Sequence, residues 1–255
     1  MAKAWRVTGT LAAVLVMAVG GLQTWATAAQ QQSNSTRSYD DVTIHRLTLE
    51  TGSASVKVRV GRESRVVVHQ RLDWMVRKPV VSTVLADGVV TVGVHCRQIL
   101  PVADVGCGAD LELEVPAATE VTGSVDSGSV QVEGLSGNVD LRLTSGELLL
   151  VDTSGDVKAH ATSGLIQSAD LSARRVEAQT TSGSMELHFA KAPQQVDTRS
   201  TSGSLTMTLP KGSRYAFSSD IGSGSGRIDP QLADSGSPNR IHATVTSGSI
   251  TINPS

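Results

Sequence analysis

Six histidines, His45, His69, His95, His160, His188 and His242, are the first candidates for acid–base or metal chemistry. No two fall in an H-x-x-x-H or H-E-x-x-H spacing, which would set two imidazoles on one helix face for a metal ion. His45, His69, His160 and His188 lie in strand-like patterns, where a solvent-facing imidazole is the expected state. Glu112 and Glu114 are two apart, hence on one face of a strand. Paired carboxylates can cleave glycosidic bonds. No third group or aromatic wall accompanies them, so a solvated strand face is the expectation. Serine is abundant, yet no G-x-S-x-G elbow occurs. Gly222-Ser223-Gly224-Ser225-Gly226 has the outline of a phosphate loop but lacks its lysine and its strand–helix setting, so it reads as a flexible corner. The sequence assigns no catalytic, cofactor-binding or metal-binding residue, and no enzyme activity is expected.

Cys96 and Cys107 are the only cysteines. In an exported chain they meet an oxidising compartment, and a disulfide is expected between them. It closes a loop of 12 residues, both cysteines included. A loop of that size contributes roughly 3 kcal/mol on the chain-entropy account. The rival is a metal site built from His95, Cys96, Cys107 and Asp110, but structural zinc favours tighter pairs such as C-x₂-C.

The elements that position these residues are set by a repeat. Gly128, Gly137, Gly146, Gly155 and Gly164 follow one another at steps of nine, each preceded by serine. The corner recurs more loosely at Gly183, Gly203 and Gly248, each within Thr-Ser-Gly. Between corners the residues alternate: Val139, Leu141 and Leu143 against Asp140 and Arg142; Val157, Ala159 and Ala161 against Lys158 and His160. Period-two alternation gives strands with one buried face. Glycine serves the corners, where the serine or threonine hydroxyl can bond nearby backbone. A fixed period predicts stacked circuits of about 18 to 24 residues with strands about 4.8 Å apart. The fold class is therefore all-β: a parallel β-solenoid or β-roll of about seven circuits over residues 119–255, at about 19 residues per circuit. An antiparallel sandwich with Ser-Gly hairpins is the rival. A calcium-binding nonapeptide roll is not supported, because its G-G-x-G-x-D motif is missing.

Residues 39–118 read as a mostly antiparallel β region carrying the disulfide hairpin. Strand-like runs fall at 42–49, 54–60, 65–71, 80–86 and 89–95, and Asp87-Gly88 is a hairpin turn. Thr51-Gly52-Ser53 resembles a degenerate first copy of the repeat corner. Residues 73–79 read as a turn, since Pro79 disfavours a central strand. Residues 29–38 are polar and non-periodic and are expected to be a flexible linker. Asn34-Ser35-Thr36 matches a glycosylation acceptor, which chance explains.

Residues 1–28 have the form of an export signal or N-terminal anchor. Lys3 and Arg6 precede an apolar run at 11–22, and Ala26-Thr27-Ala28 is a cleavage signature. The expected location is extracellular or in the cell envelope, with a membrane contacted only through an uncleaved N-terminal segment. Removing Lys3 and Arg6 from 22 basic residues leaves 20 against 24 acidic ones, a net charge near −4. That balance offers no footprint for nucleic acid, and aromatic platforms for bases are scarce.

Three features together resemble the bacterial putative-adhesin family of secreted β-strand-repeat proteins, a domain of unknown function. They are the export signal, the Cys96 and Cys107 pair ahead of Leu111-Glu112-Leu113-Glu114-Val115-Pro116-Ala117, and the run of T-S-G units. The resemblance covers roughly 41–252. It implies a parallel β-solenoid at or outside the cell surface, and it supplies no catalytic residues. The expected function is a non-enzymatic surface module that contacts a protein or polymer. The alternatives are a carbohydrate-active β-helix enzyme and an envelope sensor or scaffold.

Overall fold

The computed structural model describes residues 31–74, 77–96 and 107–255. The export signal, its cleavage signature and loop 97–106 lie outside the described residues. The alternation in the sequence becomes alternation in burial. In the strand Val139–Val151, Val139, Leu141 and Leu143 are buried while Arg142 is exposed. At the glycine the parity switches: the next buried residues are Leu148 and Leu150. The same step of five, Leu143 to Leu148, recurs from Val125 to Val130, Ala161 to Ile166, Thr180 to Met185, Ser200 to Leu205 and Val245 to Ile250. Four corner residues therefore bend each long strand so that both halves face one core.

In chain order the strands are β1 (Gln31–Asp40), β2 (Arg46–Thr51), β3 (Ser55–Val60), β4 (Arg65–Trp74), β5 (Val80–Ala86), β6 (Val89–His95) and β7 (Cys107–Val115). The long bent strands follow: β8 (Glu120–Glu133), β9 (Val139–Val151), β10 (Val157–Leu171), β11 (Arg175–Phe189), β12 (Gln195–Leu209), β13 (Ala216–Ile228) and β14 (Arg240–Pro254). These seven are the circuits expected of the solenoid, each one rung, and all pair in parallel. The spatial order is β8-β9-β10-β11-β12-β14-β13, so the last strand lies inside the one before it.

The register stacks Gly128, Gly146, Gly164, Gly183, Gly203, Gly248 and Gly224 in one column. Close approach, more than turn geometry, demands glycine here. A Cβ on Gly164 would lie 2.0 Å from the Gly146 carbonyl oxygen, and one on Gly146 1.9 Å from that of Gly128. Gly137 and Gly155 form a second column at the other corner, where a Cβ on Gly155 would lie 2.0 Å from the Gly137 oxygen. Nearby, Gly134, Asp152 and Asp170 take left-handed φ of 74°, 48° and 57° in three successive rungs. Aspartate tolerates that region better than most residues because its side chain can bond locally.

Below β8 the stack continues. β2 and β3 pair in parallel with the two halves of β8, and their corner puts the Ala54 oxygen 2.1 Å from a Cβ built on Gly128. β6 pairs with β2 and β7 with β3, both in parallel, so β6 and β7 form the next rung. Outside it β4 pairs with β7 and β5 with β6, both antiparallel. β4 and β5 are thus one rung run backwards. A single core of buried side chains extends from Ile44 to Ile252.

The expected linker at 29–38 needs correction. From Gln31 the chain forms β1, antiparallel to β4 from Gln31 opposite Trp74 to Asp40 opposite Arg65. Composition misleads here because an outermost strand buries little. Its role is to satisfy the backbone donors and acceptors on the edge of β4. At the opposite end β13 is also largely exposed and, among the described residues, pairs with no strand but β14. A short 3₁₀ turn, Pro230–Leu232, plugs that end with buried Leu232, and Asp229 accepts a hydrogen bond from the Gln231 amide at 2.8 Å. Fully buried Tyr215 packs beside Phe217 with ring centroids 5.9 Å apart. Burial pushes the Tyr215 phenol above its ordinary value, and nearby Ser213 partly offsets this.

Candidate functional site

The outward positions of five neighbouring strands, in the order β1-β4-β7-β3-β8, form a polar groove of about 770 Å³. The registers set its side chains in two rows. One reads Thr36, His69, Glu112, Lys57, Gln131; the other reads Asn34, Arg71, Asp110, Ser55, Ser129. Each is outward because its strand neighbours, such as Val56, Val58, Leu111, Leu113, Val130 and Val132, are buried. Of these ten, Asn34, His69, Asp110 and Glu112 stand out in the sequence, each for an unrelated reason. They become neighbours through a strand order that does not follow the chain.

An ion network floors one side of the groove. Arg59 reaches Glu112 at 2.8 Å and Glu114 at 2.6 Å, and Lys57 reaches Glu133 at 2.9 Å. These groups are about two-fifths exposed, apart from the more sheltered Glu114, so each pair contributes little to stability. Glu112 and Glu114 share one guanidinium, which is the arrangement of a surface network. Arg71 and Asp110 face each other across β4 and β7, and both are exposed. The groove thus presents both signs of charge, two amides and several hydroxyls. No Trp, Tyr or Phe lines it.

His69 is the one histidine drawn into the groove. Its Nδ1 lies 3.0 Å from Thr36 Oγ1, and its Nε2 lies 3.7 Å from Glu114. This has the outline of a nucleophile–base–acid chain. Arg59 competes for the carboxylate at closer range, so Glu114 is not committed to His69. His45, His95, His160, His188 and His242 are exposed elsewhere. Among the described residues no group of three His, Cys, Asp or Glu side chains is placed to hold a metal ion. Gly222-Ser223-Gly224-Ser225-Gly226 lies within β13, with Gly224 in the corner column.

Cys96 follows β6 and is not a free thiol. Cys107 opens β7, its backbone opposite Trp74. The two lie between Val94 and Asp110, which sit opposite Thr51 and Ser55, so the chain has 15 residues here where the adjoining rung has the three Gly52-Ser53-Ala54.

Among solved structures, a putative adhesin from Parabacteroides distasonis is similar over 88% of this chain and 97% of its own, at 11% identity and a TM-score of 0.50. A putative cell adhesion protein from Clostridium sporogenes is similar over 88% of this chain and all of its own, at 11% identity and a TM-score of 0.43. A putative lipid binding protein from Parabacteroides distasonis covers 88% of this chain and 97% of its own, at 14% identity and a TM-score of 0.40. At such identities the likeness is one of fold. No curated protein matches the sequence. Residues 24–253 match the model of the family described as Toastrack DUF4097, and on that match the chain belongs to the Toastrack DUF4097 family.

Proposed function

We propose that this is a non-enzymatic protein of the cell surface whose groove across β1, β4, β7, β3 and β8 holds a polar polymer or a surface protein. The observation that carries the reading is the groove itself. It places exposed Arg71 and Asp110 beside the hydroxyls of Ser55 and Ser129 on a rigid five-strand platform. Such a surface recognises a partner through many modest hydrogen bonds. The adhesin descriptions of the structural neighbours agree with this reading. The exported chain is expected to be retained on cell-wall fractions or surface proteins, and Arg71→Ala with Asp110→Ala is expected to weaken retention roughly tenfold, the loss of one or two charge-assisted hydrogen bonds. Absence of retention on every fraction, or equal retention by the double variant, would remove the groove from the argument.

The same reading includes export and a Cys96–Cys107 disulfide. Its support is that Cys96 is not free and that the two cysteines bracket one corner insertion. Alkylation of the unreduced exported protein is expected to label no thiol, and labelling after denaturation and reduction to reach two. A thiol labelled before reduction contradicts the pairing.

A further inference from the structure

The two ends of the stack are finished differently. At the β1 end the rim is uneven, because β1 continues past β4 while no described strand continues past β5. At the other end a single strand, β13, forms both halves of the last rung and pairs with β14 along its inner side. Both halves of that outer edge thus belong to one strand, and no described strand covers them. Natural sheets guard such an edge with repelling charge, proline or a bulge, because unpaired backbone groups recruit another strand. β13 has no proline, and its two charges are of opposite sign. Phe217, Ile221 and Ile228, which close the core here, are only partly buried.

The sequence of β13 is matched to itself about its corner. The step of five holds here too, from Ile221, opposite buried Val245, to Gly226, opposite buried Ile250. A two-fold axis through the corner, between Ser223 and Gly224, lays the first half of one copy antiparallel on the second half of the other, with both cores on the same side. Setting Ile221 opposite Gly226 of the second copy also sets Ser219 opposite its Ile228, all at core-facing positions. The same register sets Asp220 opposite Arg227 of the second copy, both on the outward face. Each isoleucine meets a small residue and each carboxylate a guanidinium. Asp220 and Arg227 are exposed, and neither is in an ion pair among the described residues. A slip of one residue sets core positions against outward ones. A slip of two sets Asp220 opposite Asp229 or Ser225 and loses the charge match.

We propose that two copies of this chain join end to end through β13, antiparallel about a two-fold axis at its corner, in one continuous sheet. The contact uses the same surface on both copies, so it closes at two and builds no filament. The backbone edge supplies the attachment, and the two Asp220–Arg227 pairs fix the register. The two grooves then lie towards opposite ends of the doubled stack. This goes beyond the binding role of the groove and stands without it.

Charge reversal tests the inference, with sedimentation of the exported protein over a range of concentrations as the readout. The unaltered protein is expected to dimerise. Asp220→Arg and Arg227→Asp each place like charges opposite one another twice, and each alone is expected to weaken the dimer by at least about tenfold. An equal mixture of the two variants restores both pairs, so it is expected to dimerise as the unaltered protein does. Amide exchange in the unaltered protein needs no substitution, and alternate β13 amides are expected to exchange about tenfold more slowly as the dimer forms. A chain that stays monomeric as its concentration rises overturns the proposal. So does a dimer that both single variants keep, which means that the copies meet at another edge. Weakened single variants that do not recover on mixing also overturn it. Protection of β13 that does not depend on concentration does the same, since it means that a different partner covers the edge. Groove binding is read separately, so its failure leaves these outcomes intact.

Discussion

Gly164→Ala is expected to destabilise the protein by about 2–6 kcal/mol, the sum of backbone strain of about 1–3 and overpacking of about 1–3. Gly164 has φ of 144°, a conformation that side chains rarely adopt. Its added Cβ would lie 2.0 Å from the Gly146 oxygen and 3.0 Å from the Gly146 nitrogen and carbonyl carbon. All three are backbone atoms, so no rotamer change relieves the clash. Gly146 cannot retreat either, because it stands in the same relation to Gly128. The control is Gly212→Ala. Gly212 has φ of 79° with nothing within 4 Å of its added Cβ, so the substitution carries only the left-handed penalty of about 1–2 kcal/mol. Urea midpoints of the two variants decide the matter. Equal shifts would mean that stacking adds nothing and that the column's glycines serve the bend alone.

Thr180→Val is expected to cost about 1–3 kcal/mol although it preserves shape, because it strands a buried partner. Thr180 and Ser200 are opposite each other on β11 and β12, both facing the core, and Thr180 Oγ1 donates to Ser200 Oγ at 3.1 Å. Their row continues into apolar residues, Ala161 on one side and Val245 on the other. Valine removes the donor and leaves a Ser200 hydroxyl with no solvent access. Adding Ser200→Ala removes the orphan, so the double variant is expected to recover most of the loss. A double-mutant cycle in urea reads this coupling, and strictly additive losses would show that the two hydroxyls act independently.

The repeat was legible because its cause is local. A four-residue corner and period-two strands write themselves into the chain at fixed intervals, and Gly128, Gly146 and Gly164 stack as that interval requires. The reason for the glycines was only half legible: a turn needs them, but the carbonyl of the next rung needs them more, and that carbonyl belongs to a residue 18 positions away. What escaped depends on neighbours that sequence order does not name. β1 looked like a tether because a strand on the rim needs no apolar face. Residues 39–118 do contain two antiparallel pairings, β4 with β7 and β5 with β6, yet β2 and β3 join β8 directly and continue the same core. The groove was hidden for the same reason, since His69, Glu112 and Lys57 meet only after β4, β7 and β3 are placed side by side.

The placement of β14 between β12 and β13 has a consequence for how the molecule is made. From Glu120 to Leu209 a chain that emerges amino end first can lay down one layer after another in sequence order. The next segment to emerge, Ala216–Ile228, meets a free surface that is not its final neighbour, and it must stand aside until Arg240–Pro254 has been released and slipped in beneath it. The far lid of the molecule therefore closes only once Arg240–Pro254 is in place, and a chain halted before Arg240 would be left with that layer unfilled.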